Sequence, residues 1–281
     1  MYLNCHTYYS LRYGTMSVEQ LVQKAIAASA DTIALTDINN STAIPDFAGE
    51  CIKNKIRPVA GIEFRNDNEL QYIGIARNNR GLRELNEFLS EHNFNKTAIP
   101  FPAPRFSESY IIYTLKKTPS RALFDNERTG IKKKELNRLV TLAPSFEKNR
   151  MVLLQPATYA EAGDIFTHRS LRAIDNNILL NHLKPWHCAE EDEFFVKPEY
   201  LANLRKEYPW LTENTSTLLD DCNLYLDSES LKNKKIYSAS RYDDKLLLEK
   251  LAWDGMVYRY GRKNYEAKKR IEHELAIIDR L

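Results

Sequence analysis

Three residues able to bind a metal or move a proton stand at the ends of short apolar runs: His6, Asp37 and Glu63. His6 lies in Asn4-Cys5-His6-Thr7 after Tyr2-Leu3, with Ser10 and Tyr13-Gly14 close behind. Asp37 lies in Thr36-Asp37-Ile38-Asn39-Asn40 after Ile33-Ala34-Leu35, and Glu63 closes Gly61-Ile62-Glu63 after Pro58-Val59-Ala60. Gln71 sits near a fourth run. Imidazole and carboxylate are good ligands for zinc or manganese, so one rim that gathered these side chains would suit metal-assisted hydrolysis. The set is short of ligands, however, and each member has a structural alternative. Asp37 before Asn39 suits an Asx-type turn, Glu63 suits an ion pair with Arg65 or another cation, and His6 suits a hydrogen-bonded loop. His182, His187 and Cys188 are close in sequence but span a helix end and the Lys184-Pro185 break, where a solvated terminus is expected.

The elements that would carry these residues alternate. Tyr2-Leu3, Ile33–Leu35, Pro58–Ala60 with Ile62, Tyr72-Ile73 with Ile75, Tyr110–Tyr113 and Met151–Leu154 read as strands, brief and bounded by polar or turn residues. Their continuous apolarity predicts burial on both faces. Ser17 and Gln20 have capping-box spacing, and Val18, Leu21, Val22, Ala25 and Ile26 share a helix face behind them. Helical patterns recur around Phe47–Ile52, from Leu82 to Leu89, and from Thr167 to Leu183 with Leu171, Ile174, Ile178 and Leu179 apolar and Asp175-Asn176-Asn177 inside. Residues 96–109, with Pro100, Pro102 and Pro104, read as a loop. Residues 116–132 read as a polar connection, with Lys132-Lys133-Lys134 opening a short helix, and the acidic Glu190–Glu193 precedes Phe194-Phe195-Val196. This order predicts a parallel sheet with helices outside it, a barrel or a doubly wound fold, whose active face is the rim at the C-terminal strand ends.

Composition removes several classes. The 281 residues are 43% hydrophobic and 28% charged, and no run approaches the ~18 apolar residues needed to cross a bilayer, so no membrane partner is expected. No G-x-G-x-x-G, G-x-x-x-x-G-K-[ST] or G-x-S-x-G string occurs among only 9 glycines, which argues against nucleotide-cradling loops and a serine-hydrolase elbow. Cys5, Cys51, Cys188 and Cys222 form no C-x-x-C pair and follow no leader, so buried, reduced cysteines in a cytoplasmic protein are expected. The net charge of +2 conceals an asymmetry: residues 232–281 hold 13 basic against 8 acidic side chains, leaving the remainder at −3. Two helical stretches, Asp244–Tyr258 and Tyr265–Leu281, fill that tail, and the second is still apolar where the sequence stops, which reads as a truncated element.

The rim residues also resemble a known family. Tyr2 through Leu11 with Tyr13-Gly14, then Ala34-Leu35-Thr36-Asp37, then Arg57 through Glu63 are similar to the PHP (polymerase and histidinol phosphatase) domain, and more narrowly to that of C-family replicative polymerases, the bacterial DNA polymerase III α subunits. Ala76-Arg77-Asn78 with Gly81-Leu82 and Leu85, Phe195–Pro198, Glu213–Thr215 and Cys222-Asn223 extend the likeness. Tyr265, Arg270, Glu274-Leu275 and Ile277-Ile278 resemble a helix leading into the polymerase module. The resemblance implies a distorted seven-stranded (β/α) barrel over residues 1–230, followed by a short helical extension over 231–281.

Active members of that family hold a multi-metal cluster, and the resemblance implies that this chain has lost it. Asn4 stands in place of the first His while His6 is kept, and Tyr13 stands where an acidic residue is expected. Asp37 is kept but Ile38 replaces a His; Glu63 is kept; Gln71 occupies a later His position; and Pro156-Ala157-Thr158 falls where Asp-x-His is expected. Ile38 and Pro156 offer no ligand, and Asn4, Tyr13 and Gln71 are poor ones. The implied function is an inert scaffold within a DNA polymerase III α subunit. That scaffold supports the polymerase module of the same chain and offers a docking site to a proofreading exonuclease, among other replicase subunits. DNA and magnesium would be handled by the parent chain, and this region would bind no cofactor. The competing expectation is a free-standing metal-dependent phosphoesterase with an unusual ligand set.

Overall fold

The computed structural model describes residues 2–140, 147–225 and 236–280. The chain divides into two compact units, Met1–Leu226 and Asp227–Leu281. The expected boundary at 230/231 lies outside the described residues.

The first unit is a curled sheet of eight strands forming a half-barrel with helices on its outer face. Its strands are β1 (Tyr2–Cys5), β2 (Thr32–Leu35), β3 (Arg57–Asn66), β4 (Glu69–Ala76), β5 (Ser109–Thr114), β6 (Glu127–Ile131), β7 (Met151–Leu153) and β8 (Pro156–Ala157). They lie in the order β7-β6-β5-β4-β3-β2-β1-β8. All six expected strands are present. The sheet is not wholly parallel, because β3 turns directly into β4 through Asp67-Asn68 and β4 runs antiparallel to both β3 and β5. With no intervening helix the chain must reverse, and Asp67 takes the left-handed conformation that a tight turn requires.

Two strands escape hydropathy reading. β6 (Glu127–Ile131) lies inside the expected polar connection 116–132, and its leading Glu127 is buried because Arg121 grips both carboxylate oxygens at 2.6 and 2.7 Å while Tyr113 donates at 2.9 Å. β8 is only two residues long and pairs Pro156 with Asn4 and Ala157 with Cys5.

Alternation along the strands sorts the apolar residues into layers. Leu3, Ala34, Val59, Ile73, Ile75, Ile112, Val152 and Leu154 face inward as one buried cluster, closed by Leu218, Leu219 and Cys222 at the end of the helix α6 (Pro209–Asp220) and just after it. Outside, α1 (Val18–Ala27) and α2 (Ile44–Lys53) cover Tyr2, Cys5, Ile33 and Leu35. The helix α3 (Asn79–Asn95) covers Phe64, Tyr72 and Tyr113, and α5 (Pro198–Glu207) with α6 covers Ile131, Met151 and Leu153. Ser17 and Gln20 form the expected capping box on α1, although Ile26 turns to solvent. Cys5, Cys51 and Cys222 are buried and Cys188 is half-buried, all with free thiols. Burial pushes the Cys222 thiol up to about 12.

The region from Thr167 departs from expectation. The helix α4 spans Asp164–Asp175; Asn176 caps it and Asn177 is left-handed, so Asp175-Asn176-Asn177 ends the helix rather than lying within it. Its buried face is His168, Arg172 and Ala173, while Ile174 and Leu179 are exposed. The apolar periodicity is outweighed by polar contacts made on the opposite side.

The second unit contains α7 (Arg241–Tyr260) and α8 (Tyr265–Ile278). Ser240 and Asn264 cap their starts, Gly261 at φ 76° ends α7, and Lys245 meets Asp279 at 2.8 Å, which sets the start of α7 beside the end of α8. Among the described residues no helix is long and apolar enough to cross a membrane.

Two glycines within helices make opposite forecasts. A Cβ on Gly81, in the first turn of α3, would meet the Glu108 carbonyl oxygen at 1.9 Å, whereas one on Gly49 in α2 would meet nothing within 4 Å. Gly81→Ala is expected to destabilise by about 1–3 kcal/mol through overpacking, and Gly49→Ala to stabilise by about 0.5–1 kcal/mol through helix propensity. Urea denaturation of the two variants checks both signs.

Candidate functional site

The C-terminal end of β1 carries Asn4 and His6, and the ends of β2 and β3 carry Thr36, Asp37, Glu63 and Arg65. The loop after β2 adds itself to β3 as a further strand pair: Asn39 N–H donates to the Glu63 carbonyl at 2.9 Å and Glu63 N–H to the Asp37 carbonyl at 3.2 Å. The Asn39 side chain then clamps the Arg65 backbone, donating to its carbonyl at 2.9 Å and accepting from its N–H at 3.0 Å. On the other side, Thr158 follows β8, and its N–H and that of Tyr159 both donate to the Glu193 carbonyl. Tyr159 and Phe194 form a bridge that lays the 193–194 segment along the sheet.

Asp37 serves the loop after β1. Its Oδ1 accepts from Thr7 N–H at 2.7 Å and the Ser10 hydroxyl at 2.6 Å, and its Oδ2 accepts from the Thr7 hydroxyl at 2.7 Å. Burial pushes its pKa up, and those three hydrogen bonds oppose the shift. The Asx-type turn expected at Asp37 is not formed: its carboxylate is spent on the loop after β1, about thirty residues away, rather than on its own backbone. Gly14 closes the same loop so tightly that a Cβ would lie 1.7 Å from the Thr7 carbonyl oxygen.

Glu63 is the centre of the site. Arg65 Nε donates to its Oε1 at 2.5 Å; Asn4 Nδ2 donates to its Oε2 at 2.7 Å, and His6 Nε2 lies 3.1 Å from the same oxygen. Burial by itself would raise the Glu63 pKa. The Arg65 charge, His6 and the hydrogen bonds from His6 and Asn4 outweigh it and hold the carboxyl far below the ordinary range. The Asn4 amide orientation follows from its partners, since the atom facing a carboxylate must be the nitrogen. Its donors are spent on Glu63 and on Thr36 Oγ1, 3.0 Å away.

A hydrogen-bond chain leaves His6 in the other direction. His6 Nδ1 lies 2.9 Å from Thr158 Oγ1, and the Thr158 hydroxyl donates to Glu193 Oε2 at 2.6 Å. Lys132 Nζ then lies 3.4 Å from Glu193 and 3.0 Å from Glu190. Tyr13 seals the site: its ring is 3% exposed, Arg65 lies 4.5 Å from its centroid and donates to its hydroxyl at 3.1 Å, and the Arg172 guanidinium lies 5.3 Å from the same ring. His168 stacks edge-on against Tyr13 at 4.7 Å, donates from Nδ1 to the Tyr13 carbonyl at 2.7 Å, and accepts the Ala189 N–H at Nε2. Those two bonds specify its neutral form.

Asn4, His6, Tyr13, Glu63 and Thr158 therefore meet, and Ile38 packs on the Tyr13–Tyr159 cluster beside them. Pro156 contributes backbone pairing to Asn4 only. Gln71 is engaged elsewhere, accepting from Lys117 at 2.8 Å and donating to the Glu69 carbonyl. Sequence reasoning assigned no site role to His168, Arg172, Lys132 or Glu193. The charged runs 132–134 and 190–193 were visible, but not their pairing. His182 is exposed, His187 and Cys188 are half-buried, and His187 Nδ1 accepts a hydrogen bond from the Lys184 backbone N–H; the three lie in or just after short 3-10 turns beyond the end of α4 at Asp175, not at the helix terminus expected of them.

A divalent cation does not fit this donor set. Both Glu63 oxygens are taken, and the groups aimed at them are N–H donors and a guanidinium, which repel positive charge. The described buried side-chain atoms without a partner are the Tyr72 hydroxyl and the Gln155 carbonyl oxygen, neither of which belongs to the network. No described group of three or more His, Cys, Asp or Glu is arranged to hold a metal ion.

Comparison with known proteins agrees with the rim motifs. A family model described as the PHP domain matches residues 3–127. Over 188 residues the chain is 30% identical to DNA polymerase III subunit alpha of Staphylococcus aureus strain COL, an alignment covering 64% of this chain and 17% of that protein. It is 23% identical over 316 positions to DNA polymerase III subunit alpha of Halalkalibacterium halodurans, covering all of this chain and 28% of that protein. The chain thus spans less than a third of the length of these curated relatives.

His168 makes a pH forecast. Burial drives its pKa from 6.5 down to about 4, with the Arg172 and Arg65 charges adding to the effect. The unfolded chain takes up this proton near pH 6.5 and the native one only near 4, so stability present above 6.5 is lost as pH falls between them, by about 3 kcal/mol in full. Glu63 contributes only below its ordinary 4.5. Between pH 6.5 and 5, His168→Gln is expected to flatten the fall in urea midpoint seen with the unsubstituted protein.

Proposed function

Because the chain carries a PHP domain similar to part of the DNA polymerase III α subunits, we propose that it is the PHP region of such a subunit and acts in chromosomal replication. In this reading DNA-directed DNA synthesis, with its magnesium, belongs to the polymerase module of the parent chain. The PHP pocket catalyses nothing and holds no metal. It persists as a cytoplasmic scaffold that supports the polymerase module and docks a proofreading exonuclease subunit.

One observation carries the inert reading: the carboxylate that a hydrolase would need free, Glu63, is 1% exposed and saturated by Arg65, Asn4 and His6. A catalytic carboxylate needs an oxygen free for a metal, a water or the substrate, and both oxygens of Glu63 are engaged by groups of the chain itself. Thr158, set between His6 and Glu193 in an arrangement like that of an activated nucleophile, is itself fully buried, which denies it a substrate. The free-standing phosphoesterase finds no support in this geometry.

Purified chain dialysed against manganese or zinc and then against metal-free buffer is expected to retain less than one ion per molecule by elemental analysis. It is also expected to release no nucleotide from single-stranded DNA. Two or more retained ions, together with hydrolysis abolished by Glu63→Ala, would overturn the inert pocket. For the scaffold role, immobilised chain is expected to retain a purified proofreading exonuclease of a DNA polymerase III; failure of both this chain and a full-length α subunit to retain it would count against docking.

A further inference from the structure

A carboxylate buried this deeply must have its charge balanced, and here the balancing charge is covalently part of the strand. Glu63 and Arg65 are two residues apart on β3, so the alternation of a strand sends both side chains to the same face. Arg65 is held for the purpose from three directions. The Asn39 amide fixes its backbone, Glu63 takes its Nε, and the Tyr13 ring and hydroxyl take the rest of the guanidinium. The pairing with Glu63 raises the Arg65 pKa despite burial. At the far end of the His6–Thr158 chain, Lys132 does the same for Glu193: burial lowers its pKa, and the two glutamates more than reverse this.

We propose that Arg65 is a built-in counter-cation that occupies the electrostatic role of a bound metal in this pocket, seconded by Lys132 at Glu193, so that the rim folds and stays closed on the chain's own charges. The proposal deepens the inert-scaffold reading and rests on it. It explains why a pocket that has lost most ligands keeps the buried Glu63 and His6: each is a partner of Arg65 or of the hydrogen-bond chain that leads from it, and removing one partner of such a pair strands the other in low dielectric.

The test is a double-mutant cycle on the full chain, read as the thermal midpoint of the half-barrel unit by circular dichroism. Arg65→Met alone is expected to lower the midpoint by about 8–15 °C, because Glu63 is left charged and buried, and Glu63→Gln alone by a similar amount, because the guanidinium is left unpaired. In the Glu63→Gln background, Arg65→Met is expected to raise the midpoint or leave it within about 2 °C, since an unpaired buried charge is removed. Equal losses in both backgrounds would overturn the proposal. If Arg65→Met alone does not fold, the comparison of Glu63→Gln with the double variant decides, and a double variant less stable by more than about 3 °C overturns it. Metal content distinguishes the two readings: a chain that retains metal fails the inert pocket, whereas a chain without metal whose cycle is additive fails only the counter-cation.

Discussion

Burying a carboxylate inside a half-barrel costs several kcal/mol unless an opposite charge and a full set of donors come with it, and at Glu63 this constraint organises the whole rim. Arg65 supplies the charge, Asn4 supplies a donor, His6 Nε2 lies 3.1 Å away, and each of these residues is fixed by a different strand or loop. Asn39 holds Arg65 through its backbone, so the loop after β2 cannot move without disturbing the ion pair. Asp37, one turn earlier, ties that loop to the one after β1. The rim is therefore a single hydrogen-bonded network anchored on one pair.

The same constraint reaches the helix α4 and the segment before α5. Tyr13 covers the ion pair, and His168 and Arg172 cover Tyr13, so the helix turns its polar side inward and leaves Ile174 in solvent. Arg172 is itself secured by the His187 carbonyl at 2.7 Å and by Asp175 at 2.7 Å. A fully satisfied polar network of this kind specifies one arrangement of its parts, which an apolar filling of equal volume would not. That is a sound property for a scaffold and a poor one for a hydrolase, whose site must leave room for water and substrate.

Much of this was legible from residue types. The six apolar runs, the capping box at Ser17 and Gln20, and the gathering of His6, Asp37 and Glu63 at one rim follow from periodicity and from the rule that strand ends carry the chemistry. Even the Glu63–Arg65 pair was open to inspection, because residues two apart in a strand share a face. Less legible were β6, whose Glu127 is buried only because Arg121 and Tyr113 meet it, and the inward face of α4, whose His168 and Arg172 read as solvent-facing on any hydropathy scale.

By itself the sequence determined six of the eight strands in their order, side chains at Asn4, Tyr13, Ile38 and Pro156 that make poor metal ligands or none, and the local spacing that lets Arg65 reach Glu63. Tertiary structure decided which of the alternatives for each residue holds. It made Asp37 a loop staple, took Gln71 out to Lys117, joined Lys132 to Glu193 across 61 positions, and closed Tyr13 over the centre. The reason is physical: periodicity reports which face a side chain takes, a property of neighbours in the chain, whereas charge neutralisation in low dielectric depends on partners that only folding brings within 3–4 Å.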